Sequence, residues 1–218
     1  MEVNEMSTLI VHGGLPSPFV RKVLICLEEK HMPYELRPLA PFPKTPELLA
    51  LNPVGRIPIL QDGDFVLPDS SAIALYLERI RPAPALYPSD PREYGRALFA
   101  EEYADTRVIA GTSPALFHGL IRPMFFQQPG DPAAVEKSIV EELGPALDWL
   151  EPRVDAPTGI VGGRYSIADI AVASQLGSLV YSKRELDAKR WPRIAEWSAT
   201  TRARPAWKNI LAKELPPL

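Results

Sequence analysis

Cysteine is nearly missing: Cys26 stands alone among 218 residues, so no disulfide can close within the chain. That suits a reducing cytoplasm. Histidine is scarce too. His12, His31 and His118 are scattered with no second ligand at metal spacing, and no metal is expected. No apolar run approaches the ~20 residues of a membrane-spanning helix. The opening residues 1–5 are acidic where a secretory leader would be basic, so neither a membrane partner nor export is expected. A formal net charge of −3 offers no electrostatic reason to bind nucleic acid. Gly13-Gly14 and Gly162-Gly163 lack the pattern of a phosphate-binding loop and read as turns.

Proline, by contrast, is abundant. Its 25 residues exceed twice the average usage, and they punctuate loops and helix starts without forming a low-complexity tract. Short, stiffened connections follow from that. The length allows one or two domains with sizeable cores.

Residues 7–12 form a β-rich run broken by Gly13-Gly14. A helix is expected over 19–30, with Phe19, Val20, Val23, Leu24 and Leu27 at helical spacing. A second strand over 33–39, a helical turn over 46–51, a hairpin from 57–60 and 65–67 around Asp62-Gly63, and a helix over 71–81 follow. Residues 81–88, rich in proline, read as a linker. Beyond them every strong period is helical. Val135, Ile139, Leu143, Leu147, Leu150 and Val154 make an apolar stripe, and the nearly polar-free stretch 167–180 is expected to be a central buried helix. Its start, Ser166-Ile167-Ala168-Asp169, has the form of a capping box, with Tyr165 and Ile170 placed as a hydrophobic staple.

Three short segments carry the chemistry. Asn52-Pro53-Val54-Gly55-Arg56-Ile57-Pro58-Ile59-Leu60 enters a strand through an Ile-Pro bond. That bond is a candidate cis peptide, which would leave the Ile57 N–H and C=O facing outward. Asp69-Ser70-Ser71-Ala72-Ile73 opens a helix with hydroxyls and free amides, a ready carboxylate site. Ser17-Pro18-Phe19 places a serine as N-cap and a proline as first helical residue. The three describe a groove for an extended, acidic, peptide-like ligand.

These segments, with Gly163-Arg164-Tyr165-Ser166-Ile167-Ala168-Asp169 and the closing Arg204-Pro205-Ala206-Trp207, resemble the glutathione S-transferase family, in its cytosolic, bacterial-type, serine-dependent form. The resemblance implies an α/β thioredoxin-like domain over 1–87 that binds glutathione as co-substrate. It further implies an all-α domain over 88–218 that forms the pocket for a hydrophobic electrophile, a homodimer, and no metal. Ser17 would stand at the position that contacts the glutathione sulfur, with Phe19 beside it. Val20 stands where a resolving cysteine would be, which excludes Cys-x-x-Cys redox chemistry. Ser70 would take the γ-glutamyl α-carboxylate, and Asp69, in place of the usual glutamate, the α-amine. Ile57 and Pro58 would present backbone to the cysteinyl unit, and Arg56 and Lys44 would meet the glycine carboxylate. Tyr103, Arg107, Phe117, Met124, Phe125 and Phe126 mark the region expected to receive the electrophile. Arg21 and Lys22 read as a solvated face, and Cys26 as a structural thiol. The same resemblance is compatible with a glutathione-dependent isomerase or peroxidase, or with a non-catalytic protein of this fold.

A serine hydroxyl is adequate to the task. Glutathione's thiol, titrating near the free-cysteine value of ~8.5, is mostly protonated at about pH 7. Lowering it by about two units needs ~2.7 kcal/mol of differential stabilisation. A hydrogen bond to a charged acceptor contributes ~1.5–3 kcal/mol and a helix N-terminus ~0.3–1, so no separate base is required.

Overall fold

The computed structural model describes residues 8–155 and 157–213, which group into two compact units, Met1–Pro84 and Ala85–Leu218. Residue 7, expected to begin the first strand, and the acidic residues 1–5 lie outside the described residues.

The first unit runs β1 (Leu9–Gly13), α1 (Pro18–Glu29), β2 (Tyr34–Pro38), α2 (Pro46–Leu51), β3 (Ile59–Asp62), β4 (Phe65–Pro68) and α3 (Ser70–Ile80). This is the β-α-β-α-β-β-α order read from the sequence. The four strands lie in the order β2-β1-β3-β4, with β1 and β2 parallel and the other pairs antiparallel. One rung matters most: His12 pairs with Ile59, and Ile59 with Pro68. The chain leaves β1, enters β3 and leaves β4 at that same end of the sheet.

In α1 the expected face of Val20, Val23, Leu24 and Leu27 is fully buried, but so are Arg21, Lys22, Ile25 and Cys26. The expectation that Arg21 and Lys22 lie on a solvated face is therefore wrong. Periodicity sees one apolar stripe, whereas from 20 to 27 this helix is enclosed all round. Cys26 is buried, as a structural thiol should be. At the helix end the buried Lys30 ammonium reaches Glu78 Oε2 at 2.6 Å and the carbonyls of Arg81 and Pro84 at 2.8 and 2.9 Å. It ties the C-terminal ends of α1 and α3 together and satisfies the carbonyls of the α3 C-cap residue Arg81 and of Pro84 beyond it.

The second unit is helical: α4 (Pro91–Tyr103), α5 (Ile109–Leu116), α6 (Arg122–Phe126), α7 (Pro132–Ser138), α8 (Gly144–Leu150), α9 (Ile167–Leu176), α10 (Pro192–Arg202) and α11 (Pro205–Leu211). Leu86 and Tyr87 pack within this unit, Leu86 accepting from the Ile167 N–H at 2.8 Å and Tyr87 donating to Glu101 at 3.3 Å. α4, α5 and α6 form one uninterrupted run joined by π-helical turns at Ala104–Val108 and Phe117–Ile121, and a third π turn at Ile139–Leu143 joins α7 to α8. The cause is visible in the stripe. Four residues of α-helix rotate ~400°, overshooting one turn by about 40°, so apolar positions at strict four-residue spacing drift off a face. Val135, Ile139, Leu143 and Leu147 have that spacing, as do the buried Ala100, Ala104, Val108 and Thr112. A π turn, with its i→i+5 bonds, holds more residues per turn and returns the stripe to register.

α9 is buried along its whole length, but it ends at Leu176 and continues as a 3₁₀ turn over Gly177–Ser182, shorter than the expected 167–180. Gly177, a poor helix former, is where the α geometry gives out. At the other end Asp169 accepts from the Ser166 N–H (2.8 Å) and hydroxyl (3.2 Å), from the Ile160 N–H (3.0 Å) and from the Trp197 indole N–H (2.6 Å). Tyr165, expected as half of a staple, makes a polar contact. Its hydroxyl accepts from the Trp207 indole at 3.0 Å, and Arg204 lies 3.8 Å over its ring, so the two helical-unit motifs meet.

Candidate functional site

The three segments singled out in the sequence all extend from the His12–Ile59–Pro68 rung. Past β1, Gly14 accepts from the Ser17 N–H at 3.0 Å, and Ser17 becomes the N-cap of α1 with its Oγ accepting from the Val20 N–H at 3.4 Å. The hydroxyl hydrogen remains for another acceptor. Gly13 is required here by space, since a Cβ on it would sit 2.5 Å from Val20 Cγ2. Ser17 and Phe19 are half-buried. His12 does not enter the site: its Nε2 lies 3.2 Å from Gln61 Oε1 on the neighbouring strand.

Ahead of β3 the Ile57-Pro58 bond is cis. Ile57 lies outside the strand, and its N–H and C=O have no hydrogen-bond partner among the described residues. Pro58 is buried and Ile57 half-buried. The preceding loop is held by Asn52, whose Nδ2 donates to the Arg56 carbonyl at 2.9 Å and whose Oδ1 accepts from the Val54 N–H at 3.0 Å. Lys44 is drawn to the same loop. Its Nζ donates to the Val54 carbonyl at 2.8 Å, and its stem passes so close to Gly55 that a Cβ there would lie 2.8 Å from Lys44 Cδ. The exposed Arg56 follows directly, so the two cations assigned to one carboxylate flank one loop.

Past β4 the geometry differs from expectation in one respect. Asp69, at φ +80°, is itself the N-cap of α3, and its Oδ1 accepts from the Ser71 and Ala72 amides at 3.0 Å each. These amides are spent inside the chain. What remains for a ligand is the Ser70 hydroxyl and N–H, without partners among the described residues although Ser70 is only 4% exposed, and the second oxygen of Asp69. Asp rather than Glu is the right length for that N-cap. Lys22, expected on a solvated face, instead donates to Ser71 Oγ at 3.0 Å.

In the helical unit, Tyr103 donates to the Ala146 carbonyl at 3.1 Å and lies 4.4 Å from the Trp149 ring, while Arg107 pairs with Glu142 at 3.3 Å. Burial pushes the Tyr103 phenol pKa up, against Arg107 and Arg153, and keeps it a neutral donor. Phe117 and Phe126 have ring centres 6.1 Å apart, and Met124 and Phe125 are exposed beside them. Among the described residues no helix is long and apolar enough to cross a membrane, and no His, Cys, Asp and Glu cluster could hold a metal ion.

Comparison with known proteins agrees with this geometry. Residues 12–85 match the model of the glutathione S-transferase N-terminal domain, and residues 122–200 that of its C-terminal domain. A probable glutathione S-transferase of Oryza sativa subsp. japonica is 30% identical, over 97% of this chain and 100% of its own. Glutathione S-transferase 3 of Zea mays is 32% identical, over 97% of each chain. The solved structure of a glutathione S-transferase-I bound with lactoylglutathione superposes with a TM-score of 0.82 at 27% identity, covering 94% of this chain and 99% of that one. Fold, motif order and relatives over nearly the full length lead to one assignment: the chain belongs to the glutathione S-transferase family.

Proposed function

We propose that this chain is a serine-dependent glutathione transferase that attacks an electrophilic carbon with the glutathione thiolate. One observation carries the reading. The sheet register brings Ser17, the open backbone of Ile57 and the open hydroxyl of Ser70 to one end of the same sheet. The tripeptide lies extended across them. Its cysteinyl unit pairs with the Ile57 N–H and C=O above Pro58, a one-residue strand addition. Its γ-glutamyl carboxylate takes the Ser70 hydroxyl, and its α-amine the free oxygen of Asp69. Its glycine carboxylate meets Arg56 and Lys44, and its sulfur faces Ser17 beside Phe19. The thiol proton leaves to solvent, and the sulfur lone pair forms the new S–C bond as the bond from that carbon to its leaving group, the halide of an aryl halide, breaks and the group departs with its electron pair.

Residues 1–87 act as the glutathione-binding domain. Residues 88–218 receive the hydrophobic electrophile, with Tyr103, Arg107, Phe117, Met124, Phe125 and Phe126 as the region that sets its shape. The enzyme works as a cytoplasmic homodimer, in detoxification and without a metal. Retention on immobilised glutathione, followed by conjugation of an activated aryl halide, tests the reading; a protein that does neither is not a transferase. Ser70→Ala is expected to weaken glutathione binding by ~1–3 kcal/mol, since it leaves a charged group unpaired. Calorimetry that finds unchanged affinity would place the γ-glutamyl end elsewhere.

A further inference from the structure

The short helix α6 buries none of its residues. Met124 and Phe126 are each 47% exposed on it, and Phe125 and the preceding Phe117 39%. A cluster of large apolar side chains left in water marks a place where an apolar ligand settles. A helix without a buried side chain has little packing of its own to hold it there.

The loop beyond α6 supplies the hold. Gln127 turns the chain at φ +53°, and its N–H and that of Gln128 both donate to the Arg122 carbonyl, while Arg122 Nε donates to Gln128 Oε1 at 3.3 Å. These bonds fold the loop onto α6. Two contacts then join its far end to the π turn ahead of α6. The Asp131 N–H donates to His118 Nδ1 at 3.2 Å, and Gly130 lies so near that a Cβ on it would sit 2.1 Å from the His118 carbonyl oxygen. Asp131 is fixed from its other side as the N-cap of α7, its Oδ1 accepting from the Ala133 and Ala134 amides at 3.0 and 3.1 Å. An accepting Nδ1 puts the ring proton on Nε2. The His118 ring stands edge-on to Phe117 at 5.1 Å, and Phe117 lies 6.1 Å from Phe126. One imidazole thus joins the start of α7, the loop and the aromatic tip.

We propose that His118 is a positioning residue for the apolar part of the electrophile: by accepting the Asp131 amide it closes the loop 127–131 and holds the tip of α6 as a preformed apolar surface. The proposal rests on the transferase reading above, in which this region receives the electrophile, and adds a residue to it. Preforming the surface spares the ligand the cost of ordering it, and the saving grows with the apolar area the ligand lays on the tip.

The test uses two activated aryl halides, a halodinitrobenzene and the same compound carrying an n-butyl chain on its ring. His118→Ala should raise KM for the butyl halide about fivefold, the scale of one lost hydrogen bond, with kcat and the KM of the parent halide within about twofold of wild type. Glutathione affinity by calorimetry should also stay within about twofold. Asn carries its amide oxygen at the same remove from the backbone as Nδ1, so His118→Asn should restore the butyl KM, and His118→Gln, one methylene longer, should not. Hydrogen exchange gives a readout apart from activity. Amides of residues 127–131 should exchange about fivefold faster in the Ala and Gln variants and at the wild-type rate in Asn. Should His118→Ala fail to fold, Gly130→Ala carries the test, since its Cβ pushes the loop off the His118 carbonyl and should give the same selective loss. Equal KM changes for the two halides, or wild-type exchange in every variant, overturn the proposal while leaving the glutathione reading intact. Absence of conjugation in wild type overturns both.

Discussion

Replacing Asp169 with alanine is expected to destabilise the helical unit by about 3–5 kcal/mol and lower its melting temperature by roughly 10–15 °C. The cap at Ser166 accounts for ~1 kcal/mol of that. The rest comes from what the carboxylate does beyond the cap. It receives the Ile160 amide and the Trp197 indole N–H, both buried, and each costs about 1–3 kcal/mol when left unpaired. Asp169→Asn should be milder, since the amide oxygen can still accept, but its NH₂ then faces a donor.

The same group gives a pH signature. Burial outweighs the four donors and pushes the Asp169 pKa up from 3.8 to about 6. A carboxyl whose folded value lies above its unfolded one holds its proton more tightly when folded. Acidification between about pH 6 and about pH 4 therefore adds stability through this group, and that contribution disappears as the pH rises through the folded value. In Asp169→Asn the contribution is absent. Urea unfolding followed by tryptophan fluorescence should show the variant losing stability more steeply than wild type over that window. All four tryptophans lie in the helical unit, so the probe reads the right place. Parallel pH slopes would refute the assignment.

How much of this could be read from the sequence depends on whether the signal is local. The Ser17-Pro18 helix start and the Ser166–Asp169 box are set by residues a few positions apart, and the structure has them where the sequence puts them; the hairpin is also local, but its first strand is Ile59–Asp62 rather than 57–60 and its turn is at Gly63-Asp64. The three segments proposed as the site are marked by local signals of the same kind. The order of elements then fixed where they meet, through the antiparallel register of β1, β3 and β4. What failed was tertiary. Arg21 and Lys22 fall off the apolar stripe of α1, and only the full enclosure of that helix draws them in. Asp69 and Ser70 are adjacent cap candidates, and the φ of +80° at Asp69, invisible in sequence, decides that Asp69 caps and Ser70 stays open. The π turns lie between these cases. The four-residue spacing from Val135 to Leu147 was in plain view, but it signals a π turn only once the helix is known to keep that face turned inward, with Val135, Leu143 and Leu147 buried and Ile139 half-buried.

Ser17 offers the other large effect, and the structure sharpens how it must be tested. As the N-cap of α1, with the Val20 N–H on its oxygen, Ser17 would exist in a helix with no catalytic role at all. Ser17→Ala removes cap and donor together. It should raise the midpoint of the pH–rate profile for conjugation by about one to two units, the equivalent of ~1.5–3 kcal/mol of lost thiolate hydrogen bonding, with glutathione affinity changing less. Ser17→Asp separates the two roles. Aspartate is as good a cap, so the fold should keep its stability, but a carboxylate has no proton to donate and repels a thiolate. That variant should be stable and inactive in conjugation; if it turns over like wild type, Ser17 is a cap and nothing more. Ser17→Cys changes the chemistry. A thiol at a helix N-terminus is acidified, and its thiolate can attack glutathione disulfide, forming a protein–glutathione disulfide and releasing one glutathione thiolate. With Val20 where a second cysteine would resolve it, a further glutathione thiolate must regenerate the enzyme. The variant should lose conjugation and gain thiol transfer, with the mixed disulfide visible by mass spectrometry and cleared by excess glutathione. A conjugation profile unchanged in Ser17→Ala at every pH would remove the hydroxyl from the reaction.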